Sequence, residues 1–307
     1  MITQAKYEII HASALKSNNQ LSISRMCALA GVSRSGYYAW ENAAPKRTMR
    51  EEDDKRDFDV ILEAYKHRGY AKGARGIYMR LLHVGVRMNL KKIRRLMKKF
   101  GLKCPYRCPN PYRQMAKAIR TNTVFPNAVN REFTKGGVRK ILLTDITYIF
   151  YSGKVCYLST ILDAYTHEIL AYELSMNLMV DFVLKTVDEL VAAHRSELDD
   201  TTIVHSDQGC HYTSKAFIQK LKDSQFVQSM SRRGNCWDNA PQESFFGHMK
   251  DEIRNEIERM ASFDEVKAKI DDWIDYYNND RYQWDLAKLS PREFCQYKQT
   301  GRYPLSV

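Results

Sequence analysis

The stretch ILLTDITYIF at Ile141–Phe150 decides the fold, together with the two runs that follow it. Val155–Asp163 and Glu168–Ser175 are likewise rich in β-branched and aromatic residues. Short turn-forming segments, Ser152-Gly153 and Ala164–His167, separate the three runs. Runs of this kind predict an antiparallel meander of three strands.

Helices and strands alternate after the meander. In chain order we predict helix Val180–His194, strand Thr201–His205, helix Ser214–Ser224, strand Phe226–Met230, helix Pro241–Met260 and helix Phe263–Asn278. This order predicts an α/β protein whose strand-containing domain has an RNase H-like mixed sheet.

The segment before the strands predicts an all-α, DNA-binding region. Ile23–Trp40 contains a helix, a glycine turn at Gly31 and a second helix opened by serine, which is the layout of a helix-turn-helix. Further on, Leu90–Phe100 places Leu90, Ile93, Met97 and Phe100 on one helix face. The rest of that helix carries six cations, Lys91, Lys92, Arg94, Arg95, Lys98 and Lys99. A solvated surface is the alternative, but cations without acids to pair them favour phosphate contact.

Charge is distributed unevenly along the chain. The net charge of +12 combines a surplus of 17 positive charges in residues 1–125 with a surplus of 5 negative charges in residues 126–307. The basic half indicates a polyanionic partner, either nucleic acid or an anionic membrane surface. No stretch is apolar enough for a membrane span, and seven cysteines without framework spacing suit a reducing cytoplasm.

Five segments follow from these patterns. We predict a helix-turn-helix-like region over residues 1–45, a basic helical DNA-binding region over 46–103, a linker over 104–135, the catalytic core over 136–260 and a C-terminal helical extension over 261–307.

Three carboxylates stand out by position. Asp145 lies inside an apolar strand, where an unpaired charge is costly unless a metal binds it. Asp207 directly follows a strand, beside the turn residue Gly209, and Glu243 lies in the first turn of a helix. If the strands of Asp145 and Asp207 are neighbours, the three side chains converge and provide hard oxygen ligands for Mg²⁺ or Mn²⁺. The alternative is three unrelated acids. Asp163, at the end of the second strand, more simply serves a turn.

The same positions carry a family resemblance. The segments TDIT at 144–147, HSDQGCHY at 205–212 and RGNCWDNAPQESFF at 233–246, followed by Lys250, resemble the Asp-Asp-Glu core of insertion-sequence transposases, specifically the OrfB product of the IS-three family. Thirty-five residues separate Asp207 from Glu243, which agrees with the family's spacing, and Lys250 follows Glu243 by seven residues. The segments YNNDR at 277–281 and LSP at 289–291 resemble its C-terminal signature.

Each of these residues has a candidate role. Asp145, Asp207 and Glu243 would hold two divalent ions that activate a water or a 3′-hydroxyl. Lys250 would touch a phosphate, or else be a solvated helix lysine. Trp237 would stack on a base or anchor its loop. His205 would orient Asp207, contact DNA or simply pack at a strand end, and Gly209 and Asn235 would shape turns near DNA.

The expected protein is therefore a cytoplasmic, nucleoid-associated transposase acting on double-stranded DNA at transposon ends and target. The resemblance implies a homo-oligomer in the synaptic complex, and an active form that is a frameshifted fusion with the upstream OrfA product. Two rivals stay open: an RNase H-like nuclease without strand transfer, and a non-catalytic DNA-binding regulator.

Overall fold

The chain divides into two compact units, Met1–Glu63 and Ala64–Val307. The computed structural model describes residues 3–105, 127–129, 132–134, 136–231 and 239–305. Most of the expected 104–135 linker lies outside these residues, and the predicted division into five segments stays a prediction. None of the described helices combines the length and the apolar character that crossing a membrane requires.

The first unit contains the expected helix-turn-helix layout. Its helices are α1 Thr3–Ala14, α2 Ile23–Ala30, α3 Arg34–Asn42 and the greater part of α4 Ala44–Lys66. Gly31 ends α2 with φ +62°, a conformation that glycine adopts without strain. Ser33 then caps α3 by accepting a hydrogen bond from the Gly36 amide. A small apolar core of Ile10, Met26, Cys27 and Tyr37 holds these helices together.

The second unit is α/β. Its elements are α5 Ala74–His83, α6 Leu90–Lys99, β1 Ile141–Tyr151, β2 Lys154–Asp163, β3 Ile169–Ser175, α7 Val180–His194, β4 Ile203–Ser206, α8 Lys215–Asp223, β5 Val227–Met230, α9 Ala240–Ile257, α10 Phe263–Asn279 and α11 Pro291–Thr300. The strand order is β3-β2-β1-β4-β5. The first three strands pair antiparallel, whereas β4 and β5 join in parallel. The predicted RNase H-like mixed sheet is confirmed.

Both faces of the sheet are covered by apolar helices. Leu143 and Ile149 of β1 face α9 and α10, whose Phe245 and Trp273 belong to the same core. Leu142 of the same strand faces the α7 and α8 side. This alternation follows from the two-residue period of a strand. It also sets Asp145, two residues after Leu143, on the α9 side.

A buried ion-pair network joins the ends of the strands. The Arg139 guanidinium contacts Asp163 at 3.2 Å, Glu168 at 2.7 Å and Glu197 at 3.0 Å. Asp163 also accepts hydrogen bonds from the Tyr165 amide and from another turn residue. Asp163 is fully buried, in agreement with the turn role expected for it.

Helix α6 presents its cations as expected, with one difference in its buried face. Ile93, Leu96 and Met97 are buried. The sequence pattern predicted that Leu90 and Phe100, at the two ends of the helix, belong to the buried face. Leu96 is buried instead, because it lies three residues after Ile93 and shares its helix face. Asn89 caps the helix through the Lys91 amide at 2.7 Å.

Candidate active site

The pairing of β1 with β4 brings the strand positions of two carboxylates next to each other. The parallel register joins Leu143 to His205, each two residues before an aspartate. Continued by two residues, this register sets Asp145 opposite Asp207, at the place where the strands separate. Adjacent strands lie about 4.8 Å apart, so the two side chains start from neighbouring backbone positions.

Helix α9 brings Glu243 near enough to Asp145 for its charge to raise the Asp145 pKa. Glu243 lies in the first turn of α9, which contains proline at one of its first two positions. The preceding residue, Gln242, is fully buried, and its Nε2 donates a hydrogen bond to Thr160 Oγ1. Thr160 is the cross-strand partner of Asp145. The first turn of α9 is therefore fixed over the strand pair that contains Asp145.

The charges of this cluster act on one another. Burial raises the pKa of Asp145 to about 7, and the carboxylates of Asp207 and Glu243 add to the increase. The Ile146 amide, 2.8 Å from Asp145 Oδ1, and the Lys250 ammonium act in the opposite direction. Burial is the main cause of the raised pKa, and the two neighbouring carboxylates add to it, so the ionised form of Asp145 is disfavoured in this environment.

Gly209 shapes the loop that holds Asp207. Its amide donates a hydrogen bond of 2.8 Å to Asp207 Oδ1. A Cβ atom at position 209 would lie 2.9 Å from that same oxygen, which is closer than real contacts allow. The position of Asp207 therefore requires glycine at position 209. The expected proximity of this turn to DNA stays a prediction.

Lys250 lies exposed on α9, two helical turns beyond Glu243. Burial of its stem lowers its pKa, Arg254 lowers it further, and Asp145 raises it. A groove of about 130 Å³ runs between α9 and the outer half of β1, lined by both cations and by Tyr148 and Phe150. The cations thus extend along the helix away from the carboxylates.

His205 is fully buried, and its Nδ1 lies 2.9 Å from the hydroxyl of Ser229 on β5. Burial favours the packed strand-end alternative over direct contact with DNA. Two further expected site residues, Asn235 and Trp237, lie outside the described residues.

The cations of α6 lie on a separate surface of the same unit. Lys91, Arg94, Arg95, Lys98 and Lys99 are exposed, and Lys92 is half-buried. In the part of the chain that the structure describes, Lys91, Arg94 and Lys98 form no ion pair. Their predicted contact with DNA phosphates stays a prediction.

Two residues of the site, Gln242 and Tyr212, lie inside the quoted motif segments but were not predicted as site residues. Gln242 contacts a threonine 82 positions earlier in the chain. Tyr212 is 1% exposed, with its hydroxyl 3.4 Å from Thr144 Oγ1. Burial raises its pKa well above the usual value, and Asp145 and Asp207 reinforce the effect. Tyr212 stands inside the quoted 205–212 segment, which was the only signal available for it.

The residues present fit a divalent metal by their chemistry. Three carboxylates supply hard oxygen donors, and a cation would stabilise the ionised form of Asp145, which burial and the neighbouring carboxylates disfavour. Among the described residues, no three His, Cys, Asp or Glu side chains already converge closely enough to hold one ion. Binding therefore requires these side chains to move towards one another.

Family models match most of the second unit and part of the first. Residues 137–236 and 224–291 each match an integrase core domain, and residues 51–109 match an HTH-like domain. The HTH-like match covers the basic region of α5 and α6 rather than the helix-turn-helix layout of residues 1–45. A chain of the simian T-cell lymphotropic virus intasome superimposes with a TM-score of 0.45 at 12% identity, covering 81% of this chain and 78% of that one.

Relatives from bacterial insertion sequences span nearly the whole chain. The IS600 uncharacterized 31 kDa protein of Shigella sonnei is 31% identical over 88% of this chain and 97% of its own length. The putative transposase InsK for IS150 of Escherichia coli K12 is 30% identical over 86% of this chain and 90% of its own length. Transposase InsF for IS3A, from the same organism, is 25% identical over 91% and 96%. The chain therefore belongs to the insertion-sequence transposases of the IS150/IS3 family.

Proposed function

We propose that this transposase uses Asp145, Asp207 and Glu243 to catalyse metal-dependent phosphodiester hydrolysis and strand transfer at insertion-sequence ends. The observation that carries the proposal is the parallel pairing of Leu143 with His205, because each of them lies two residues before one of the two aspartates. The hydrogen bond from Gln242 to Thr160 supports the proposal because it attaches the first turn of α9, which contains Glu243, to the strand that pairs with β1. The contributions of Asp207 and Glu243 to the raised pKa of Asp145, which add to the larger effect of burial, support the proximity of the three carboxylates.

The three carboxylates would hold Mg²⁺ or Mn²⁺, and two ions suit the chemistry. Bound there, they would lower the pKa of a water or 3′-hydroxyl and neutralise charge on the leaving oxygen. Phosphoryl transfer depends mainly on positioning and charge neutralisation, so the protein needs no covalent nucleophile. Gly209 holds Asp207 in place through its amide. Lys250 would bind a phosphate oxygen beside the reacting bond.

We assign the binding of DNA to the basic surfaces, above all to the cations of α6. The α6 cations would neutralise backbone phosphates of double-stranded DNA at the transposon end, which makes binding salt-dependent. Joining two ends requires at least two copies of the chain in the working complex. A fusion with the upstream OrfA product would supply further DNA contacts. This assignment keeps the protein at the nucleoid in the cytoplasm.

A reconstituted reaction on transposon-end DNA tests the proposal. The protein, alone and fused to the upstream-frame product, is incubated with Mg²⁺ and labelled DNA, beside Asp145→Asn, Asp207→Asn and Glu243→Gln. Asp181→Asn is the matched control, because Asp181 is an exposed acid on α7, which packs on the opposite face of the sheet. We expect strand-transfer products with the wild type and the control, and none with the other three.

Two other outcomes would each support one of the rival functions. Cleavage without joining would make the protein a nuclease. Binding of DNA with no metal-dependent reaction, even in the fusion, would make it a regulator.

A further inference from the structure

A second surface of the catalytic unit combines aromatic rings with cations. The guanidinium of Arg75 on α5 lies 5.2 Å from the ring centre of Trp284. The Lys288 ammonium lies 5.6 Å from the same ring and 5.9 Å from that of Tyr78. Tyr78 and Trp284 are themselves 6.1 Å apart between ring centres. We call these four residues, with Arg87 and Tyr303, the aromatic–cation patch.

The patch joins the basic helices to the C-terminal segment, and that junction is firmly packed. His83, in the last turn of α5, stacks on Tyr282 with ring centres 3.6 Å apart. Its Nε2 also lies 3.1 Å from a carboxylate oxygen of Glu293, in the first turn of α11. Helix α5 and the C-terminal segment therefore present one continuous surface.

The loop that carries Lys288 is held in a costly conformation. Ala287 and Lys288 have φ values of +55° and +68°, which cost non-glycine residues about 1–2 kcal/mol each. Hydrogen bonds from the Gln283 amide to the Leu289 carbonyl and from the Tyr303 hydroxyl to the Ala287 carbonyl, both 2.9 Å, hold this loop. Packing therefore fixes the backbone that places Lys288 beside the two rings.

The cations of the patch are not all distant from acids, because Arg75 and Trp284 also line a cavity that contains Asp251, Glu252, Asp280 and Asp285. Arg75, Arg87 and Lys288 form no ion pair with a carboxylate in the part of the chain that the structure describes. A cavity of about 380 Å³ opens between Arg87, Lys288 and Tyr303, and the described residues that line it include no acid. Asn89, the cap of the basic helix α6, lines the same cavity. The cations of the patch and those of α6 thus adjoin.

We propose that the aromatic–cation patch binds the phosphate backbone of the duplex held by α6, so that the C-terminal segment forms part of the DNA-holding surface. The rings hold Arg75 and Lys288 in position through cation–π contacts and leave their N–H groups available to phosphate oxygens. Because the side chains of these cations are already held in position, they lose less conformational entropy when they bind a phosphate. The inference rests on the proposed function for the identity of the duplex, the transposon end.

Salt-dependent binding tests the proposal without catalysis. Asp145→Asn protein, in the absence of divalent metal, is titrated with transposon-end duplex between about 50 and 200 mM salt. In that background we compare Arg75→Ala/Lys288→Ala with Lys185→Ala. Lys185 is an exposed lysine without an ion pair among the described residues, on α7 at the opposite face of the sheet.

The double variant should weaken binding about 10-fold at the higher salt and reduce the slope of log K against log salt by about 1–2, since each lost phosphate contact removes about 0.9. The control should change neither quantity. Trp284→Ala should weaken binding with a smaller change in slope, because it removes the support of the cations and keeps their charge. Equal melting temperatures would show that the variants fold.

A double variant that binds with the wild-type slope, while Lys91→Ala/Arg94→Ala reduces it, would overturn the inference. That result would leave the carboxylate chemistry untouched, because the assay involves no catalysis. Conversely, if the wild-type chain bound the duplex normally but gave no strand transfer, the proposed carboxylate chemistry would fail and the binding inference would stand.

Discussion

Replacing Asp145 by asparagine removes one of three carboxylates that repel one another in the folded protein. The pKa of Asp145 rises from its ordinary 3.8 to about 7, so the folded state binds a proton more tightly than the unfolded state. Stability therefore falls as pH rises from about 4 to about 7 and stays reduced above that range. Asparagine avoids the cost and still accepts the hydrogen bond of the Ile146 amide.

The size of the effect follows from the shift. About three pKa units correspond to about 4 kcal/mol, and partial exposure of the side chain reduces this to about 2–4 kcal/mol. In a unit of this size, that difference raises the melting temperature by about 5–10 °C. The gain should appear at about pH 8 and be nearly absent at about pH 4.

Thermal unfolding in chelator measures the prediction, with Asp181→Asn as the control for lost surface charge. Added Mn²⁺ should stabilise the wild type, because it binds the folded state, and should stabilise Asp145→Asn much less. If Asp145→Asn melts at or below the wild-type temperature at the higher pH, ionised Asp145 does not destabilise the folded protein and the reasoning fails.

Three further predictions concern positions around the site. Arg139→Ala leaves buried carboxylates unpaired and should lower the free energy of unfolding by about 3–5 kcal/mol, measured with urea. Gly209→Ala places a Cβ against Asp207 and should lower the strand-transfer rate at least about 10-fold while DNA affinity stays unchanged; a normal rate would show that Asp207 tolerates displacement. Gln242→Leu should lower the rate through misplacement of Glu243, and an unchanged rate would mean that Thr160 does not anchor α9.

The sheet and its order could be predicted because their signals are local. The runs around Asp145 and before Asp207 have the composition of buried strands, and a meander followed by alternating helices and strands leaves few arrangements. The neighbouring positions of those two aspartates followed directly from that order.

Contacts between distant segments could not be predicted. Gln242 looks like any polar helix residue until the sheet brings Thr160 beneath it. Arg139 looks like part of a basic turn, yet three acids from separate segments surround it. The segment around Trp284 likewise gives no sign of its contact with Arg75, because that contact depends on the packing of α5.

Direct ligation of a metal ion by the carboxylates is tested most sharply by changing the ligand atom. Asp207→Cys replaces a hard oxygen by a softer thiolate, which suits Mn²⁺ better than Mg²⁺. We expect the variant to lose strand transfer in Mg²⁺ by at least about 10³-fold, equivalent to about 4 kcal/mol, and to recover part of it in Mn²⁺. Asp207→Asn should recover in neither. Strand transfer in Mg²⁺ that survives Asp207→Asn would contradict the account.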